Sequence, residues 1–145
     1  MSLSFKQLRT AISDQIDTLS GFRLIKLPPA QFGRSQQTLA HLGYSVGLET
    51  SEQLNERQRR INGGYYVQTN VTVIFGFRLR PTELYPTDYD NALDQEQEVI
   101  IKVLSSYQAV RNEVQIRFLS SQRAITESSE YMLITLNFQA FHTIT

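Results

Sequence analysis

The side chains that could do chemistry are few. The chain holds two histidines, His41 and His142, and no cysteine. Disulfides, thiolate nucleophiles and Cys-ligated zinc are therefore excluded. Neither histidine has a second ligand at H-x-x-H or H-x₃-H spacing. Each falls on the polar face of an expected strand, so the first reading is a surface or hydrogen-bonded imidazole, and the second a metal ligand or general base. Acidic residues gather in Asp88-Tyr89-Asp90 and in Asp94-Gln95-Glu96-Gln97-Glu98. They read as the N-cap and solvated face of a helix; a divalent-ion site or acid/base pair is the alternative, and no basic or histidine partner lies nearby in sequence. There is no G-x-S-x-G, no P-loop and no G-x-G-x-x-G. The residues thus point to no catalytic group, no cofactor and no metal site.

Two features remain. Arg57, Arg59 and Arg60 cluster in a polar stretch, 51–64, that ends in Gly63-Gly64. This is either a solvated loop or a phosphate-facing patch at a hairpin tip. Tyr44, Tyr65, Tyr66, Phe75, Phe77 and Phe138 could form a base-stacking platform. Most share an alternating apolar face, which makes them core; Tyr66 lies on the opposite face and is a candidate interface residue.

The elements that would position these groups can be read along the chain. Ser4 and Gln7 have capping-box spacing, and Leu3 and Leu8 sit where a hydrophobic staple would. Phe5, Leu8, Ile12, Ile16 and Leu19 recur on one face, so a helix is expected over 5–19, with Gly21 as a left-handed cap beyond it. A short strand is expected from Phe22 to Leu27, before Pro28-Pro29, and residues 30–40 read as a loop. His41–Glu49 alternates as a half-buried strand, its outer face kept flat by Gly43 and Gly47.

Tyr65–Arg80 alternates without interruption. A strand of that length would span roughly 53 Å. It must twist, bend at Gly76, or project, and it can form a long hairpin with the strand before it. The segment 81–88 reads as a turn, Tyr89–Tyr107 as a second helix, Val114–Phe118 as a strand and 120–129 as a polar loop. A last strand covers about 130–143. The order α-β-β-β-α-β-β predicts an α+β fold with a mostly antiparallel, twisted sheet and two helices packed on one face.

The 145 residues fit a single domain, 1–145, with hydrophobic residues at 41% and charged residues at 19%. Fourteen basic and fourteen acidic residues cancel to a formal net charge of zero. A general nucleic-acid binder carries a basic excess, which is missing here. Zero net charge also removes a barrier to self-association. No apolar run approaches a membrane span, and MSLSFKQLRTAISDQ has no signal-peptide core, so the expectation is a protein made in the cytoplasm with no membrane role.

The order of elements resembles the tail terminator (tail-completion) family of long-tailed bacteriophages over nearly the whole chain. The resemblance is carried by FKQLRTAISDQIDTL, by YYVQTNVTVIFGFRLRP, by YPTDYDNALDQEQEVIIKVL, and by the closing pair NEVQIRFL and ESSEYMLITLNFQAFHTI. It implies a non-enzymatic virion subunit at the tail/neck junction. Such a subunit forms a hexameric ring on the last ring of the tail tube, stops tube growth and presents a surface to the head or neck connector. DNA passes through the lumen without sequence-specific binding, and no cofactor is used. On this reading the loop bearing Arg57, Arg59 and Arg60 faces the lumen or the adjoining ring. Another phage neck or head-closure connector is one alternative; a small nucleic-acid-binding domain is the other.

Overall fold

The structure, a computed structural model, describes residues 2–25, 41–54 and 64–145. Helix α1, Phe5–Asp17, starts as its sequence dictates. The Ser4 hydroxyl accepts from the Gln7 backbone N–H at 3.1 Å, and the Gln7 side-chain oxygen accepts from the Ser4 N–H at 2.9 Å. Two of the orphan N–H groups of the first turn are satisfied in this way. Leu3, Leu8, Ile12 and Ile16 all enter the core. The helix is shorter than the expected 5–19: Thr18 caps it, and the chain reverses through Gly21 at φ +86°.

Five strands follow in one sheet: β1 Arg23–Leu24, β2 Gly43–Gln53, β3 Tyr65–Arg78, β4 Val114–Ile125 and β5 Tyr131–Ile144, in the spatial order β1-β2-β3-β5-β4. Only the two-residue β1 runs parallel to its neighbour; every other pairing is antiparallel. Helix α2, Tyr85–Leu104, and the short α3, Ser106–Ala109, lie between β3 and β4 in sequence. The α+β class, the mostly antiparallel sheet and the order of elements are as the sequence predicts.

Parity sorts the two faces of the sheet. Val71, Val73 and Phe75 of β3 and Met132, Ile134, Leu136, Phe138 and Ala140 of β5 join α1 and α2 residues in one hydrophobic cluster. β3 and β5 pair in unbroken register from Tyr65↔Ile144 to Arg78↔Tyr131, so Gly76 neither breaks nor shifts this ladder. At about 3.4 Å per residue these two strands approach 50 Å in length.

Several boundaries differ from the sequence reading, each for a physical reason. β2 starts later, because Leu42 turns the chain at φ +59°, and runs on through Ser51, Glu52 and Gln53, which pair with β3. β4 likewise continues to Ile125 through residues expected in a polar loop. Among the described residues neither stretch has a strand on its outer side, and their side chains are little buried, so no alternation marks them. α2 begins at Tyr85 and not Tyr89, because Pro86 sits in the first turn, where its missing N–H costs nothing. It ends at Leu104, short of the expected Tyr107, which belongs to α3.

Candidate functional site

The expected loop site, Arg57, Arg59 and Arg60, lies outside the described residues. Tyr66 is described: it is the second residue of β3, half-buried, on the sheet face away from the helices, in register with Thr143. Nothing described brings it together with the arginine loop.

The acidic residues expected on a solvated helix face are not all there. Asp88 is only 5% exposed and Glu96 only 4%. Asp88 accepts from Arg80 at three points: the backbone N–H at 3.0 Å, Nε at 2.9 Å and Nη2 at 2.7 Å. These bonds, led by the guanidinium contact, hold its carboxyl down at about 2, so it stays ionised. Both of its oxygens are engaged in tying the first turn of α2 to the end of β3, which leaves no free basic oxygen. Glu96 Oε2 accepts from Arg123 Nε at 3.0 Å, linking α2 to β4. The basic partners are Arg80, just after β3 and eight residues before Asp88, and Arg123 of β4.

His41 sits in the turn before β2, not on a strand. Its Nδ1 accepts the Arg78 N–H at 3.1 Å, and its ring meets Phe77 edge-on at 4.6 Å. Burial, then the Arg78 charge, lowers its pKa below 6.5, so it is neutral at pH 7. With Arg78, Arg80 and Asp88 it lines a hollow of about 460 Å³. A neutral imidazole already accepting a hydrogen bond, beside a carboxylate locked by arginine, is an arrangement that holds a corner together. Among the described residues no three His, Asp or Glu side chains group to hold a metal ion.

His142 is hydrogen-bonded, as expected, but its placement on the polar face of its strand is corrected. It shares parity with Met132 through Ala140, and so lies on the core face, 1% exposed. Its Nδ1 donates to the Leu3 carbonyl at 2.8 Å, and its Nε2 lies 2.8 Å from Thr69 Oγ1, which is itself 3.1 Å from Ser51 Oγ. Leu3 N–H returns a bond to Thr143 O at 2.8 Å. The segment before α1 is thereby clamped to the end of β5, and burial pushes the His142 pKa down.

No protein-family model matches this chain, and a search of curated proteins finds no significant match.

Surfaces are the larger features. A groove of about 830 Å³ runs between α1 and the β1–β2 side of the sheet, with Phe5, Arg9 and Ser13 on one wall and Leu24, Val46 and Leu48 on the other. The middle of the sheet face opposite the helices carries amides and hydroxyls on β3 and β5, flanked by apolar Ile74, Leu133 and Phe141 and by charged Glu52 and Arg117 on the neighbouring strands. Thr72 Oγ1 donates to Asn137 Oδ1 at 3.3 Å, Asn137 Nδ2 donates to Ser120 Oγ at 3.2 Å, and Asn70 Nδ2 donates to Thr50 Oγ1 at 2.6 Å. Gln68 and Gln139 extend this set along the central strands. From Tyr66 to Gly76 and from Tyr131 to Thr143, the outward positions of β3 and β5 carry no charge. Periodicity could find this face, since it is the complement of the apolar set; what the sequence alone does not tell is that no described helix covers it.

Proposed function

We propose that this chain is a ring-forming subunit that caps the end of a phage tail tube, stops its growth, and offers its upper surface to the neck. The observation that carries the reading is the uncharged outward face of the long β3–β5 ladder. The middle of this ladder presents amides and hydroxyls and no cation, with Arg78 and Arg117 only at the margins of the face, so a polyanion is held there only weakly. Zero net charge for the whole chain supports the same conclusion. In this reading the subunit does no chemistry: its buried carboxylates and imidazoles are used as structural ties. The resemblance of the element order to tail terminators supplies the assembly context.

The test is growth arrest. Tail-tube protein polymerising in vitro, from the phage that encodes this chain, should stop elongating when the protein is added in stoichiometric amount to tube ends. Tubes that lengthen undisturbed, with no protein at their ends, would refute the reading. Tight, salt-sensitive binding of nucleic acid by the monomer would favour the nucleic-acid-binding alternative instead.

A further inference from the structure

Among the described residues β2, bordered on its outer side only by the two-residue β1, and the edge strand β4 carry opposite charge. β2 has Glu49 and Glu52 and no basic residue; β4 has Arg117 and Arg123 and no acidic residue. Arg123 is spent on Glu96, whereas Arg117 is exposed and has no ion pair among the described residues. β1 pairs only with Gly43 and Tyr44, so among the described residues nothing pairs with the outer edge of β2 from Val46 to Gln53. Among the described residues nothing pairs with the outer edge of β4 either. Glu49 and Glu52 are exposed.

We propose that β4 of one copy adds to the Val46–Gln53 edge of β2 of the next, which no described residue pairs, head to tail, through Arg117 and the Glu49/Glu52 pair. Direction allows it. The successive pairings β2–β3, β3–β5 and β5–β4 are all antiparallel, so β2 and β4 run oppositely. A copy rotated about an axis along the strands therefore presents β2 antiparallel to β4, and the sheet continues across the join. Register allows it too. Thr50, Asn70, Gln139 and Arg117 occupy one transverse row, and Glu52, Gln68, Phe141 and Gln115 the next row on the same face. A join without stagger sets Arg117 beside Thr50 of its neighbour and diagonal to Glu52, within reach of a long side chain. The two bulges flank one row: Glu49 lies between the Leu48/Phe118 and Thr50/Arg117 rows, and Leu119 between the Leu48/Phe118 and Gly47/Ser120 rows, so the Arg117, Thr50 and Glu52 positions all fall on the same side of the Leu119 bulge. Such a contact joins two different patches and closes into a ring if the rotation permits. It covers two strand edges that would otherwise invite aggregation. The join rests on the ring reading only for its closure.

Charge exchange tests it. Glu49→Arg/Glu52→Arg and Arg117→Glu, made in separate chains, should each require about tenfold or more higher concentration to assemble. Mixed in equal amounts they should recover wild-type assembly, because every join in an alternating array again pairs opposite charges. Far-UV circular dichroism of each variant alone checks folding. Variants that assemble as wild type, or that fail to rescue each other on mixing, overturn the edge join. If wild-type rings form and both variants form them equally well, the ring reading survives without this join. Open chains of no fixed size that follow the charge rule would support the join and contradict the closed ring. A wild type that stays monomeric, alone and on tubes, overturns both.

Discussion

Replacing Thr69 with valine perturbs one buried hydrogen-bond chain and little else. The polarity of that chain follows from its end. The Leu3 carbonyl can only accept, so His142 Nδ1 carries the proton. The neutral ring then offers Nε2 as an acceptor, the Thr69 hydroxyl donates to it, and Ser51 donates in turn to Thr69. Valine keeps the shape of threonine and removes the donor. Nε2 is left buried without a partner, which costs about 1–3 kcal/mol.

Acid should enlarge the effect. The folded pKa of His142 lies below its ordinary 6.5 because burial disfavours the cation. Its contribution to stability is therefore complete above 6.5 and is lost as the pH falls below that value toward the depressed folded one. In the native chain Thr69 can turn to accept from the imidazolium; valine cannot. Urea unfolding followed by circular dichroism at pH 7 and pH 5 measures both effects. A double-mutant cycle with His142→Phe should show coupling of about 1 kcal/mol or more. A Thr69→Val cost under about 0.5 kcal/mol with an additive cycle would refute the assigned chain.

Arg123→Met strips the partner from the nearly buried Glu96 carboxylate. Since Arg123 is itself 42% exposed, the full cost of breaking a buried pair is discounted to about 1–3 kcal/mol at pH 7. Urea unfolding of both proteins at pH 7 measures it, and a loss under about 0.5 kcal/mol would contradict it. Gly21→Ala should cost about 1–2 kcal/mol, because φ is +86° and a Cβ there would stand 3.0 Å from Leu42 Cδ1; an unchanged melting temperature would refute this. Asp88 should keep Arg80 bound through mild acid and release it only as the pH falls from the ordinary carboxylate value of 3.8 through about 2. The Arg80 side-chain resonances, followed by NMR through an acid titration, should shift in that window; a transition near pH 5 would contradict the assignment.

Elements buried on one face were legible in the sequence, and the pairing across them was not. α1, β3 and β5 announce themselves because each has an apolar set at a single period facing one core. The far ends of β2 and β4 do not: Ser51–Gln53 and Gln122–Ile125 are exposed, so hydrogen bonding alone makes them strands. Asp88 and Glu96 look like a solvated helix face because the fold, not the helix, supplies their arginines: Arg80 from just after β3, eight residues before Asp88, and Arg123 from β4, twenty-seven residues after Glu96. His142 was legible and misread: its even number puts it in line with Met132 through Ala140. The arginines at 57, 59 and 60 fall outside the described residues, so the surface argument rests on Glu49, Glu52 and Arg117 instead.

The most direct test of the central claim is the mass of the purified protein in solution, by light scattering over a concentration series, with negative-stain images of any large species. The account predicts rings of one uniform size, formed by the protein alone or on contact with tail tubes. A strict monomer under both conditions would contradict it.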